Sequence, residues 1–150
     1  MVEKYCDGAI PAVANEASLE KLLSETAATA DKAMCALDFQ GGILAIMEFC
    51  KRVNGYVTEK EPWVIAKDAE RATELNEVLY NTAEAVRALA VLLHPVMPET
   101  TEKLWESLGA DSLGPIGKQL VSDIANWGQL KSGSKVTKGA VLFPRLEETK

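Results

Sequence analysis

One histidine, His94, is all the chain has in 150 residues, which removes two-histidine metal sites and the H-x-G-H type of nucleotide site. Standing directly before Pro95, it reads as a helix C-terminal residue favoured by the dipole rather than as a catalytic base. Cysteine is scarce too. Cys6, Cys35 and Cys50 are odd in number and contain no C-x-x-C pair, so neither a disulfide framework nor a zinc site is indicated. No G-x-x-x-x-G-K-[ST] or G-x-G-x-x-G is present to cradle phosphates. Lys131-Ser-Gly-Ser-Lys135 is basic, but it lacks a flanking strand and helix and reads as a solvated turn. Long apolar runs are missing as well: Ala88 to Leu93 falls far short of the ~20 residues that cross a bilayer, and the first residues lack the basic and apolar regions of a signal peptide. These absences predict a cytoplasmic protein that is not itself a catalyst, without a metal and without a membrane.

A broad excess of positive charge is also lacking. Residues 1–117 hold 10 Lys/Arg against 19 Asp/Glu, and residues 118–150 hold 6 against 3. An acidic body with a basic tail argues against a protein that grips nucleic acid mainly through counterion release.

What is present is helical periodicity. Hydrophobic residues make up 47% and charged residues 25%, the balance of a folded globular domain. Leu19, Leu22, Leu23, Thr26, Ala30, Ala33, Met34 and Leu37 recur at three- and four-residue steps, and Asn15 or Ser18 can cap that helix. After an interruption at Gly41-Gly42, Ile43, Ile46, Met47, Cys50, Val53 and Val57 predict a second helix to about Thr58. A third starts near Asp68, turns Leu75, Val78, Leu79, Thr82, Val86, Leu89, Ala90 and Leu93 inward, and stops at His94-Pro95. Pro98 opens a short fourth over Glu99 to Leu108, ended by Gly109. The fold class that follows is all-α, an antiparallel helical bundle over residues 1–110. Residues 111–150 form a loop-rich segment with one further helical turn or two between Gln119 and Ala125 and an extended tail over Val136 to Leu146, an edge strand or a strap across the bundle. Val2 to Gly8 resembles the last turns of a helix, which suggests a fragment of something longer.

Chemistry-bearing residues are few. Paired carboxylates such as Glu59 and Glu61, or Glu147 and Glu148, sit in polar contexts and face solvent. Trp63 follows Pro62 at a charged junction between two long helices, with Lys60 and Lys67 nearby. It either closes the helix corner as a core residue or offers a stacking platform for a base, the two lysines then facing phosphates. Asn54, on the inward side of the second helix, is either a buried amide satisfying its neighbours or a brace for the Trp63 corner. Trp105 lies at core spacing, and Trp127 reads as a packing anchor for the tail.

Three runs taken together resemble a known family. Asn54-Gly-Tyr-Val-Thr-Glu-Lys-Glu-Pro-Trp63 with Lys67, then His94-Pro-Val-Met-Pro-Glu-Thr-Thr-Glu-Lys-Leu-Trp-Glu-Ser-Leu-Gly109, then Leu142-Phe-Pro-Arg-Leu-Glu147 occur in the order found in the C-terminal part of methionyl-tRNA synthetases. The P-x-M-P-x-x-x-E-x-L-W portion is shared in looser form by the anticodon-binding domains of several class I synthetases; the other two runs are specific to the methionine enzymes. The resemblance implies a bundle that recognises the CAU anticodon of methionine tRNA, with Trp63 against an anticodon base and Leu142 to Glu147 folded back toward the rest of the enzyme. It also implies a catalytic part elsewhere that uses ATP and Mg, with Zn in an insertion. The family's N-L-x-x-R helix and its nucleotide-binding domain find no match here, so the chain alone is expected not to form methionyl-tRNA. The alternatives are a free-standing helical module that binds another protein, or the equivalent domain of another class I synthetase.

Overall fold

Asp38 decides where the second long helix begins. A computed structural model describes residues 1–12, 14–139 and 141–143, and in it α1 (Val2–Tyr5) and α2 (Ala17–Cys35) precede α3, which runs Phe39–Lys60. Gly41 and Gly42, expected to interrupt the pattern, lie inside the first turn of α3. The Asp38 carboxylate accepts the Gly41 N–H at 2.9 Å, and a Cβ at Gly41 would run into that same carboxylate. A Cβ at Gly42 would lie 2.9 Å from the Met34 methyl. The two glycines therefore let Asp38 cap α3 and let α2 come close, and they extend the helix backward instead of breaking it.

The start and end of α2 also differ from expectation. Its N-cap residue is Glu16, without a side-chain cap; Ser18 Oγ donates to Glu16 Oε1 at 2.9 Å, and neither Asn15 nor Ser18 caps the helix. The helix ends in a left-handed residue, Leu37 (φ 61°), with Asp38 N–H bonded back to Ala33 O, so Leu37 is exposed rather than inward. On α3 the buried stripe is Gly42, Ile46, Phe49, Val53 and Tyr56; Met47, expected inward, is exposed and Phe49 takes the core position.

After α3 come α4 (Pro62–Ile65), a 3-10 turn at Ala69–Arg71 whose N-cap Asp68 accepts from Glu70 N–H, and α5 (Ala72–Leu93). α5 is the centre of the bundle. It packs against α2, α3, α4, α6 (Pro98–Ser107) and α7 (Val121–Ile124), and it is buried nearly all round from Val78 to Leu92. That burial includes Glu84 and Arg87, 0% and 1% exposed, which pair at 2.8 Å. Glu84 accepts three further hydrogen bonds, from the N–H groups of Gly128 and Gln129 at Oε1 and of Leu130 at Oε2, at 3.0–3.1 Å. Tyr80 OH donates to Leu130 O, and Trp127 Nε1 donates to Asn81 Oδ1 at 3.3 Å. Trp127 thus anchors the following segment as expected, but to polar side chains of α5 that sequence reasoning did not single out. Trp105 is core, with its indole N–H on Gly114 O.

The segment past Gly109 consists of 3-10 turns at Ala110–Leu113 and Ile116–Lys118, the single turn α7, and a strap. Gly133 N–H donates to Ile10 O, Ile10 N–H to Ser134 O, Val136 N–H to Gly8 O, and Thr137 N–H to Ser107 O. The second half of Lys131 to Lys135 is therefore paired with the N-terminal segment through an isolated bridge at Ala9 and Lys135, while its lysines stay exposed. Gly109 (φ 64°) lies against the Lys135 carbonyl, a place no Cβ could share. No strand occurs among the described residues. Val141 and Phe143 are exposed; Ala140 and Pro144 to Lys150, including most of the expected Leu142 to Glu147 fold-back, lie outside the described residues.

Candidate nucleic-acid interface

The corner between α3 and α4 is built by one left-handed residue and one proline. Glu61 (φ 46°) donates its N–H to Val57 O as α3 ends, and Pro62 then occupies the first position of α4, where a missing N–H costs nothing. Pro62 and Ile65, three residues apart, are buried and hold α4 against α5. The two residues between them must then point away. Trp63 and Val64 are 44% and 40% exposed, in contrast to Trp105 at 2%. The core-closing role is filled by Pro62 and Ile65, and no hydrogen bond to the Trp63 indole N–H occurs among the described residues.

Lys60, in the last turn of α3, and Lys67, just past α4, are both exposed and stand on either side of Trp63 in the sequence. The Lys60 ammonium lies 5.7 Å from the centroid of the Tyr56 ring. Asn54 is a correction. It is exposed, not inward: Val53 and Tyr56 take the buried face, and the helical rotation of roughly 100° per residue carries Asn54 off it. Its backbone carbonyl accepts from Thr58 Oγ1, and no side-chain bond ties it to the Trp63 corner among the described residues.

Burial pushes the Tyr56 phenol up to about 12, opposed by the Asn81 amide beside it; burial likewise takes Tyr80 up to about 12, with Glu84 adding to the effect. A phenol with a raised pKa contributes stability that is present below its ordinary value of 10.0 and is lost as the pH climbs to about 12. An ultraviolet titration should therefore leave Tyr56 and Tyr80 protonated at pH 11 in the native protein, with Tyr56→Phe and Tyr80→Phe each removing one late-ionising phenol. Ionisation of both near 10 would contradict their burial.

His94 Nδ1 lies 2.9 Å from Thr101 Oγ1, at the junction of α5 and α6. Among the described residues no group of three or more His, Cys, Asp or Glu could hold a metal ion, and no helix is long and apolar enough to cross a membrane. A wider groove of about 540 Å³ between α2 and α7 is lined by small side chains such as Ala27, Ala28 and Ala125, with Asp31 as its one acid.

The family model described as "Anticodon-binding domain of tRNA ligase" matches residues 16–133. The chain is 53% identical to the methionine–tRNA ligase of Streptomyces coelicolor, over 99% of its own length and 29% of the relative's. It is 36% identical to that of Halalkalibacterium halodurans, over 98% and 22%. Its fold matches methionyl-tRNA synthetase of Mycobacterium tuberculosis in the free state, with a TM-score of 0.76 at 26% identity, covering 99% of this chain and 30% of that one. The methionyl-adenylate complex of the same enzyme gives a TM-score of 0.74 at 28% identity, over 97% and 28%. The chain thus spans less than a third of the proteins it matches.

Proposed function

The chain belongs to the anticodon-binding domain family of tRNA ligases, and its kin are methionine–tRNA ligases; on that footing we propose that it reads the CAU anticodon of methionine tRNA. The observation that carries the reading is the outward Trp63, held between two buried anchors at a helix corner. A base splayed from the anticodon loop stacks on its ring, for which stacking is worth about 1–3 kcal/mol. Lys60 and Lys67, on either side, take the phosphates that flank that base. Asn54, exposed on α3, makes no side-chain hydrogen bond to this corner among the described residues.

The remainder of the enzyme activates methionine with ATP and Mg and holds any Zn, and the whole works in the cytoplasm, where tRNA is charged. This chain supplies recognition and no bond-making group. Its acidic body fits that division: a few bases are selected locally, and the connected catalytic part adds phosphate contacts at high effective concentration. A free-standing protein-interaction module, or the matching domain of another class I synthetase, is not favoured by the family match and the kin above.

Binding of methionine tRNA and of a tRNA with its anticodon reversed, each measured across a salt series, tests the reading. The unaltered ligase should prefer CAU by tenfold or more, and Lys60→Ala and Lys67→Ala should each weaken binding to both and flatten the salt slope by about one. Equal affinity for the two anticodons would reject it.

A further inference from the structure

The indole of Trp127 fixes more than its own loop. Its Nε1–H donates to Asn81 Oδ1 at 3.3 Å, which settles the orientation of that amide: the oxygen is taken, so the NH2 group is what lies beside the Tyr56 phenol oxygen. Asn81 and Tyr56 are 3% and 8% exposed, and no buried side-chain polar atom among the described residues lacks a partner. Close packing around the Tyr56 ring and the amide at its hydroxyl end together fix its plane. Its face is turned to Lys60, one turn further along α3, whose ammonium lies 5.7 Å from the ring centroid.

Lys60 needs such a seat because of what else surrounds it. Glu16, Glu74 and Glu77 line the same cleft of about 210 Å³, between the start of α2, the end of α3 and the first half of α5. Glu74 is bound by Arg71 at 2.8 and 2.9 Å, and Glu16 accepts the Ser18 hydroxyl. Lys60 forms an ion pair with none of the three among the described residues. A lysine carries its charge on a flexible four-carbon stem, free to fold down onto a neighbouring carboxylate. The ring face competes with those carboxylates without neutralising the charge, and so leaves it available at the surface, three residues before Trp63.

We propose that Trp127 and Asn81 are positioning residues for Lys60: by holding the Tyr56 ring they keep the ammonium over its face, away from the carboxylates of the cleft and ready for an RNA phosphate. The proposal rests on the reading of Trp63 and Lys60 above and extends it to residues that do not meet the RNA. The loop over residues 126–130, which Glu84 holds to α5, thereby sets the strength of a contact made from α3.

The test uses the ligase that carries this chain and reads tRNA binding across a salt series, with Tm measured alongside. Trp127→Phe keeps a ring in the loop and loses the N–H. It should weaken binding about threefold, for the CAU anticodon and the reversed one alike, and flatten the salt slope in the direction of Lys60→Ala. Tyr56→Phe, which keeps the ring and loses its contact with Asn81, should do the same to a smaller extent. In the Lys60→Ala background neither change should weaken binding further, because the charge they position is gone. Lys60→Arg still stacks on the ring and should remain sensitive to Trp127→Phe. A Trp127 with a structural role alone would lower Tm and affinity at an unchanged salt slope and would add its loss to that of Lys60→Ala; that result overturns the proposal. Lys60→Ala that alters neither affinity nor slope would overturn the phosphate reading of Lys60 and the proposal with it.

Discussion

Glu84→Ala should destabilise the protein by about 3–5 kcal/mol, the range found when one partner of a buried ion pair is removed. The size follows from what the carboxylate touches. Arg87, 1% exposed, would be left with a buried charge and little besides a long 3.4 Å contact to Asn126 O, and the N–H groups of Gly128, Gln129 and Leu130 would lose their acceptor together. The midpoint of urea unfolding should fall sharply. Glu84→Gln keeps one acceptor oxygen and should fall in between. Glu84→Ala combined with Arg87→Met should recover part of the loss, because the stranded guanidinium goes with it. A change below 1 kcal/mol in Glu84→Ala would show that the loop at residues 126–130 is not held by α5 in the way described.

Trp63→Ala should do the reverse, sparing the fold and damaging recognition. The ring is 44% exposed and its neighbours Pro62 and Ile65 carry the packing, so stability should move by less than about 1 kcal/mol. In the complete ligase, kcat/KM for aminoacylation of tRNA should drop by one to two orders of magnitude, about 1–3 kcal/mol of stacking, while methionine-dependent ATP–pyrophosphate exchange stays near normal. Equal loss in both assays would assign the tryptophan a structural role. Under the proposed function, Glu84→Ala and Trp63→Ala are thus expected to separate loss of folding from loss of recognition.

Both residues also show what can be read from a sequence. The long helices follow from spacing alone because an apolar stripe at three- and four-residue steps has one geometric solution, and α5 and α6 end at His94 and near Gly109 as their terminal residues imply. A glycine pair ordinarily marks a break; what makes this one helical is the Asp38 cap three residues before Gly41, while the close approach of Met34 from α2 is what calls for a residue without a side chain at Gly42. Asn54 was placed inward through its neighbours Val53 and Tyr56, although one step round a helix is enough to leave the buried face.

Glu84 and Arg87 went unread for a related reason. Charges at i and i+3 on a helix usually mark its wet side, yet these two are set among Ala83, Ala85, Val86 and Ala88, an apolar surround that was the available signal. Their partners lie some forty residues further on, in a segment without periodicity. The Trp63 corner was legible as an unusual placement of a large ring, and the choice between core and surface needed the third dimension. Tyr56, Glu77 and Asn81 were not legible as a group at all, since α3 and α5 bring them together only on packing.

The strap near Lys135 has a bearing on how the chain gets to its native state. Its bonds join residues 8–10 to residues 133–136, so they close almost the entire polypeptide into one ring. Contacts of such wide sequence separation return nothing until the intervening chain is ordered, whereas the α2–α3 hairpin can form from neighbours. The strap therefore closes late and opens early. The amides of Ile10 and Val136 should exchange with solvent hydrogen faster than those in the middle of α5, through an opening that leaves the bundle intact.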